Sequence, residues 1–211
     1  MVEFGYMKIK LLKDTAEALR KNGFEAAVFE DSPSATQHIL AMIGSGKKVG
    51  LGGSMTVQGL GLPEALKKAG NEVITHAPGM SEDERMKAWL NAQTADFYLA
   101  SPQAITAKGE MLFLDGNGNR AAAVIYGPGR VVLIAGVNKI AGTLDEGLWR
   151  TRNVAAVANN IRLRKNNPCV KTGKCEDCAS PERICNVLTT LWKKPRVTNY
   201  TVILINEELG Y

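Results

Sequence analysis

All four cysteines of the chain lie in one short segment, in the order Cys169, Cys175, Cys178 and Cys185. Thiolates are strong ligands for zinc and for iron–sulfur clusters, and four of them complete a tetrahedral coordination shell. Disulfides or inert buried thiols are the alternatives. Disulfides are typical of secreted chains, however, and the first residues contain no apolar signal segment. The clustering therefore predicts a metal centre with these four cysteines as its ligands.

The identity of the metal is open between zinc and iron–sulfur. Structural zinc sites usually contain two close cysteine pairs, whereas only Cys175 and Cys178 form such a pair here. The longer gap before this pair is similar to ferredoxin spacings and favours an iron–sulfur cluster of the 4Fe-4S type. Either centre would carry negative charge, which cations in the flanking sequence can offset. These cations are Arg162, Arg164, Lys165, Lys171, Lys174 and Arg183.

The length and composition indicate one globular domain. The chain has 211 residues, of which 45% are hydrophobic and 22% are charged. We predict a single α/β domain over residues 1–211, with the cysteine-rich segment 165–186 inside it. No apolar run is long enough to span a membrane. The net charge of +5 is dispersed and aromatic residues make up 6%, so we expect no nucleic-acid partner. The reduced cysteines predict a cytoplasmic protein.

Apolar residues alternate along the chain between helical spacing and short continuous runs. The runs predict strands at 26–29, 48–51, 72–75, 97–100, 111–114, 122–126, 131–135 and 201–205. Helices are predicted before the stop signal at 21–23, from Ser32, from Ser81, and at roughly 55–69, 144–161 and 184–192. Strands that are apolar on both faces indicate a mostly parallel sheet covered by helices on each side. The turn Asp115–Asn119 predicts a β-hairpin.

Polar residues follow several of the predicted strands, at the edge where open α/β sheets bind ligands. They are Gly52, Gly53, Ser54 and Thr56, then His76, Ser101, Asn138 and Lys139. A strand followed by Gly-Gly-Ser and a helix can form a turn that binds a phosphate or a carboxylate, although it can also be a simple tight turn. Lys139 can pair with an anion or can be solvated, and His76 can be structural.

Five short segments, in order along the chain, carry a resemblance to a known family. They are Gly50–Thr56, Ser101–Glu110, Asp115–Arg120, Gly136–Ile140 and Arg150–Arg152. With the cysteine segment, they resemble the four-cysteine branch of the lactate-utilisation (LUD) domain family. That family is similar in fold to sugar-phosphate isomerases, CoA transferases and formyltetrahydrofolate cyclo-ligases. The resemblance implies an α/β sheet of this type and a subunit associated with iron–sulfur-dependent oxidation of L-lactate to pyruvate.

The matching segments also suggest which residues form the site. We predict catalytic roles for Lys139, Glu110 and Asp115. The predicted ligand-binding residues are Gly52, Gly53, Ser54, Thr56, Thr106, Asn119, Arg120, Asn138, Arg150 and Arg152. The resemblance implies that the turn from Gly52 to Thr56 binds the phosphate or carboxylate.

Three functions are consistent with these features. The first is an enzyme or enzyme subunit, of the iron–sulfur oxidoreductase kind, that acts on a small hydroxy- or oxo-acid anion. The second is a metal-independent isomerase, transferase or ligase for a phosphorylated or CoA-linked substrate, with structural zinc. The third is a non-catalytic assembly module. Because no nicotinamide or flavin fingerprint is present, an electron acceptor would be an iron–sulfur or other electron-transfer partner protein. A homo-oligomer is left open.

Overall fold

The structure, a computed structural model, describes residues 2–77 and 79–211. The strands are β1 (Glu25–Phe29), β2 (Lys48–Leu51), β3 (Glu72–Ile74), β4 (Phe97–Ala100), β5 (Ala104–Thr106), β6 (Met111–Asp115), β7 (Arg130–Gly136), β8 (Ile140–Ala141), β9 (Val187–Leu191) and β10 (Asn199–Ile205). The helices are α1 (Val2–Lys21), α2 (Ser32–Ile43), α3 (Met55–Gly59), α4 (Leu62–Lys68), α5 (Glu82–Gln93), α6 (Asn119–Ile125), α7 (Leu144–Arg150), α8 (Ala156–Arg162) and α9 (Pro168–Thr172). The prediction of no signal segment partly concerns Met1, which lies outside the described residues.

A six-stranded sheet in the order β1-β10-β7-β4-β2-β3 forms the centre of the fold. Every neighbouring pair in this sheet is parallel. The predicted α/β class with a mostly parallel sheet is therefore confirmed. Because all six strands run in one direction, their carboxyl ends meet at one edge, where the polar residues after β2, β4 and β7 come together.

The side chains of the sheet alternate between two apolar cores. On β7, Val131, Leu133 and Ala135 face one core, whereas Val132 and Ile134 face the other. Helices α1, α5 and α6 cover the first face, and α2, α3 and α4 cover the second. Both faces of the sheet are buried, which explains why the strands read as continuous apolar runs in the sequence.

A second sheet of four strands, in the order β8-β5-β6-β9, packs against the first core. Strands β5 and β6 form an antiparallel hairpin, and β9 adds to the other edge of β6 in an antiparallel register. Strand β8 follows the end of β7 through one 3₁₀ turn, Val137–Lys139. This sheet therefore ties the segment that carries Lys139 to the hairpin and to the region that follows the cysteines.

Strands β5 and β6 form a β-hairpin, but the prediction of a hairpin around Asp115–Asn119 is wrong. Helix α6 replaces the strand that was predicted at 122–126. Two local features favour the helix. Asp115 Oδ2 accepts a hydrogen bond from the backbone nitrogen of Ala121 at 2.6 Å, which satisfies a free amide of the first turn. Three successive alanines, 121–123, then have the highest intrinsic helix propensity.

The short helix predicted at 184–192 is also wrong, since Val187–Leu191 forms β9. Residue Thr189 pairs with Phe113 of β6, and Thr190 pairs with Leu112. The β-branched threonines fit a pleated surface, and the free edge of β6 supplies the backbone partners. This partner edge lies 76 to 78 residues earlier in the chain, so the local apolar spacing cannot reveal it.

Two predicted helices are interrupted. The helix predicted at 55–69 divides into α3 and α4 because Gly61 adopts a φ of 64°, a left-handed conformation that ends a helix. The helix predicted at 144–161 is present, but a π-helical turn at Thr151–Ala155 separates α7 from α8. None of the helices in the described residues combines the length and apolar content that a membrane span requires. The single-domain boundaries at 1–211 stay a prediction.

Candidate functional site

A cavity of about 240 Å³ lies at the carboxyl edge of the six-stranded sheet. Many of the predicted site residues border it, among them Gly53, Ser54, Thr56, Asp115, Asn119, Arg120 and Lys139. His76 and Ser101, which follow β3 and β4, border it as well. The structure therefore brings polar residues that follow separate strands together at one edge of the sheet, as expected. Their roles in binding and catalysis stay predictions.

Lys139 is the most unusual side chain of this cavity, because it is a lysine that is only 3% exposed. Its Nζ donates hydrogen bonds to Thr56 Oγ1 at 2.9 Å and to Ser101 Oγ at 2.7 Å. None of the ion pairs among the described residues includes Lys139. Buried lysines are rare and are normally paired with a carboxylate, so a buried lysine held by two hydroxyls indicates a functional position.

The two hydroxyls that hold Lys139 have acceptors of their own. Thr56 Oγ1 donates to the carbonyl oxygen of Leu209 at 3.3 Å, and Ser101 Oγ donates to that of Pro102 at 3.4 Å. Each hydroxyl therefore uses its proton elsewhere and presents a lone pair to Nζ. The direction of these bonds makes Nζ a donor in both of its contacts.

The surroundings of Lys139 disfavour its charged form. Burial, together with the guanidinium groups of Arg150 and Arg120, lowers the pKa of Lys139 from its ordinary value of 10.5 to about 7. The amine is thus close to half-protonated at neutral pH. Such a group can donate hydrogen bonds to an anion, act as a base, or act as a nucleophile.

Asp115 and Arg120 form a buried ion pair on the wall of the cavity, with Arg120 Nη2 at 2.6 Å from Asp115 Oδ1. Arg120 Nη2 also donates to the carbonyl oxygen of Leu114 at 2.8 Å and to Gln103 Oε1 at 3.1 Å. Both carboxylate oxygens of Asp115 are engaged, since Oδ2 accepts from the amide of Ala121. The carboxylate of Asp115 is therefore neutralised by Arg120, and Arg162 and the protonated form of Lys139 are the further cations that border the cavity.

His76 lies at the rim of the cavity and has a defined hydrogen-bonding state. Trp89 Nε1 donates to His76 Nδ1 at 3.3 Å, so a neutral His76 carries its proton on Nε2. Burial and the positive charges of Arg85 and Arg162 lower the pKa of His76. A neutral imidazole with an Nε2–H donor is suited to hydrogen-bonding an oxygen of a bound molecule.

Residues 206–211, which we call the closing segment, follow β10 and bring Tyr211 to the cavity. Asn138 holds this segment through both ends of its amide, because Oδ1 accepts from Leu209 N at 3.1 Å and Nδ2 donates to Gly210 O at 3.2 Å. Tyr211 borders the cavity, and its hydroxyl bonds to Arg162 Nε at 2.6 Å and to Asn159 Oδ1 at 3.1 Å. Asn138 thus fixes the segment that brings Tyr211 to the cavity.

Several predicted site residues lie elsewhere. Thr106 Oγ1 donates to Glu110 Oε2 at 2.9 Å within the β5–β6 hairpin, and neither residue borders the cavity. Arg150 Nε donates to the carbonyl oxygen of Asn138 at 2.8 Å, and its Nη1 donates to that of Gln103. Arg150 therefore stabilises the turn Val137–Lys139 without bordering the cavity. Arg152 faces the cysteine segment. Gly52 is buried next to the cavity without lining it.

The cysteine segment lies directly behind one wall of the cavity. Leu114 and Ala156 border the cavity on one side and, on the other, a pocket of about 260 Å³ that also contacts Cys175 and Cys185. Ile184, the neighbour of Cys185 in the chain, borders the cavity itself. The predicted metal ligands and the predicted anion site are therefore adjacent, although they are far apart in sequence.

The π-helical turn Thr151–Ala155 positions groups toward the cysteines. Asn153 Oδ1 accepts from Cys175 N at 3.1 Å, and Arg152 Nη2 lies 3.4 Å from Cys175 Sγ and 3.0 Å from Asp177 Oδ1. Arg183 Nη2 pairs with the same Asp177 oxygen at 3.0 Å. Two guanidinium groups thus lie beside the thiols, where they can offset the charge of thiolates.

The fit of a metal to the four cysteines is partial. All four thiols are free, and burial, followed by the charges of Cys178 and Cys185, raises the pKa of Cys169. In the part of the chain that the structure describes, however, no three His, Cys, Asp or Glu side chains are grouped closely enough to hold a metal ion. A metal would require the sulfurs to draw together. The metal centre, and its identity, stay predictions.

Some cavity residues were not assigned a role from the sequence. Ser101 and His76 carry a signal, because each follows a predicted strand at the ligand-binding edge. Gln103, Arg162 and Tyr211 carry none, because they reach the cavity from a loop, from the end of α8 and from the closing segment. Only tertiary packing brings these three to the site.

Comparison with known proteins identifies the family. The model of the LUD domain family matches residues 12–205, so this chain belongs to the LUD domain family. No curated protein matches the chain. Membership of this family suggests a protein related to lactate utilisation.

Two solved structures are similar to this chain. A crystal structure of a DUF162 family protein from Deinococcus radiodurans superposes with a TM-score of 0.54 at 15% identity, covering 94% of this chain and 98% of that one. This similarity shows a shared fold. The structure of eIF2B beta from Chaetomium thermophilum gives a TM-score of 0.39 at 15% identity, over 53% of this chain and 43% of that one, and we infer nothing from it.

Proposed function

We propose that this chain binds a small hydroxy- or oxo-acid anion, such as L-lactate or pyruvate, and acts on it as an enzyme or enzyme subunit. The observation that carries this proposal is the buried Lys139, held between Thr56 and Ser101 at the carboxyl edge of the sheet, with no carboxylate partner among the residues that the structure describes. In its protonated form this amine gives the cavity a positive charge that a bound carboxylate would neutralise.

The size of the cavity supports a small ligand. At about 240 Å³ it is smaller than the sites of about 300–1,000 Å³ that hold drug-sized molecules. Its polar lining matches a short, oxygen-rich anion, because Ser54, His76 and the protonated form of Lys139 can donate hydrogen bonds. A three-carbon acid would place its carboxylate near the cationic groups and its second oxygen near the remaining donors.

We expect replacement of Lys139 by methionine to weaken L-lactate binding by about tenfold to a hundredfold, as loss of one charged hydrogen bond of about 1.5–3 kcal/mol predicts. Binding to the unaltered protein should weaken as the pH rises above about 7, where the amine loses its proton. Isothermal calorimetry at pH 6 and pH 8 measures both effects.

The control for this experiment is Lys108→Met, which removes an exposed lysine of the β5–β6 hairpin that does not border the cavity. This variant should bind as the unaltered protein does. Equal affinity of Lys139→Met and Lys108→Met for L-lactate and for pyruvate would refute the assignment of the anion to this cavity. Tighter binding of phosphate esters or CoA than of either acid would instead favour an isomerase or transferase.

The finer part of the proposal is that Cys169, Cys175, Cys178 and Cys185 hold an iron–sulfur cluster. Its support is the four free thiols in one segment, the guanidinium groups of Arg152 and Arg183 beside them, and the shared wall with the cavity. A cluster there would supply an electron acceptor for oxidation of a hydroxy acid. The residues of this chain would bind the acid, orient it and screen it from water with the closing segment.

Protein purified without oxygen should be brown, with a broad absorbance band near about 400 nm and bound iron and sulfide. Cys178→Ser should lose most of the metal because one of four ligands is removed, whereas Lys108→Met, an exposed change in the β5–β6 hairpin, should keep it. Metal analysis decides between the outcomes. Stoichiometric zinc would favour a structural role for the segment, and protein free of any metal would contradict a metal centre.

A further inference from the structure

The hydrogen bonds of Lys139 match a neutral amine better than an ammonium group. A neutral amine has two N–H donors and one lone pair, whereas an ammonium group has three donors. Among the described residues Nζ has two acceptors, Thr56 Oγ1 and Ser101 Oγ. Both N–H bonds of the neutral amine are thereby used, and its lone pair stays unshared. Because Lys139 borders the cavity, a molecule bound there meets the side chain that carries this lone pair.

The charges around Lys139 also favour a reactive amine. Arg120 of α6 and Arg150 of α7 are cationic neighbours, and both oxygens of Asp115, on β6, are already bonded to other groups. His76 and the pair of Arg162 and Tyr211 complete the titratable groups that border the cavity. Asp115 is the one side-chain carboxylate among these lining residues, and it is not available to stabilise the ammonium form. A desolvated lysine beside other cations is a known arrangement for imine formation.

We propose that Lys139 forms a covalent imine with the C2 carbonyl of a 2-oxo acid that binds in the cavity. This inference rests on the proposed function, since it takes the oxo acid as the ligand. The lone pair of Nζ attacks the carbonyl carbon, and the carbonyl π electrons move to oxygen, which gives a carbinolamine. The two N–H protons then leave with that oxygen as water, and the C=N bond forms. No electrons are gained or lost, so no oxidant is required.

The contacts of Lys139 can adapt to this product. The imine nitrogen no longer donates, but the hydroxyls of Thr56 and Ser101 can each rotate their proton from a carbonyl oxygen to the nitrogen. If the imine is protonated, the carboxylate of the same ligand supplies a counter-charge that the described side chains around Lys139 do not supply. The site would thereby distinguish oxo acids, which can react, from hydroxy acids, which share the carboxylate but have no carbonyl.

The test is reductive trapping with pyruvate and sodium cyanoborohydride, followed by intact mass measurement and peptide mapping. We expect one reduced pyruvate adduct, on Lys139, that appears faster at pH 8 than at pH 6 because the amine is then neutral. Lys108→Met should keep this adduct and Lys139→Met should lose it. An excess of L-lactate should slow the labelling of Lys139 without affecting exposed lysines.

Absence of an adduct, or adducts spread over exposed lysines at equal rates, would overturn the inference. The mapping of the unaltered protein alone decides this, so the result does not depend on the folding of a variant. Calorimetry with L-lactate, which cannot form an imine, tests the proposed function separately. Binding of L-lactate without an adduct leaves the proposed function in place, whereas an adduct without L-lactate binding supports the imine and removes hydroxy acids from the ligand class.

Discussion

Replacing Lys139 with methionine should make the protein more stable at pH 6 than the unaltered chain, although it impairs binding. The lysine is 3% exposed and unpaired, so at pH 6 folding must bury a positive charge or remove its proton. The difference between 10.5 and about 7 corresponds to about 4–5 kcal/mol at about 1.4 kcal/mol per pH unit. Loss of two hydrogen bonds offsets part of this, and we expect a net gain of about 2–4 kcal/mol.

The pH dependence of this effect has a definite sign. Below about pH 7 the destabilisation by Lys139 is fully present, and it fades as the pH rises toward 10.5, because only the unfolded chain then holds the proton. The advantage of Lys139→Met should therefore shrink by about 2–3 kcal/mol between pH 6 and pH 9. Urea unfolding of both proteins at the two pH values measures this change. The comparison between proteins cancels the contributions of other titratable groups.

Lys108→Met serves as the matched control for stability, because its side chain is exposed. Its free energy of unfolding should differ from that of the unaltered protein by less than about 0.5 kcal/mol at either pH. A Lys139→Met variant that is less stable at pH 6 and shows no pH-dependent difference would mean that Lys139 is paired in solution. The neutral-amine account of the site would then fail.

Replacing Gly136 with alanine should destabilise the protein by about 2–4 kcal/mol and weaken ligand binding. A Cβ atom at this position would lie 2.3 Å from the carbonyl oxygen of Glu207 and 2.7 Å from the backbone nitrogen of Leu209. Both atoms belong to the backbone of the closing segment, so they cannot move aside as a flexible side chain can. The segment must shift, and its contacts with Asn138 and Thr56 are then lost.

Gly59→Ala is the control for this experiment, because a Cβ atom at Gly59 would meet nothing within 4 Å. Alanine is also the better helix former at the end of α3, so this variant should be as stable as the unaltered protein or slightly more stable. Thermal unfolding and calorimetry with L-lactate compare the two variants. Equal unfolding temperatures and equal affinities would show that the packing of the closing segment on Gly136 does not contribute to the site.

The fold class could be predicted because it depends on local patterns. Strands with apolar residues on both faces imply a covered parallel sheet, and the runs at 48–51, 97–100 and 131–135 are strands β2, β4 and β7. The two incorrect elements lie where a distant partner decides the conformation. The threonines of β9 extend because β6 offers an edge, and the alanines of α6 form a helix that Asp115 caps.

The sequence by itself determined the mostly parallel α/β sheet, the edge where a ligand would bind, and the concentration of thiols in one segment. Only the tertiary structure decided that Lys139 is buried between Thr56 and Ser101, which lie 83 and 38 positions away from it in the chain. It also placed Arg152 at the cysteines and neutralised Asp115 with Arg120. The physical reason is that the spacing of apolar residues indicates which side chains become buried. The partners of a buried polar group depend instead on strand order and on the packing of remote segments.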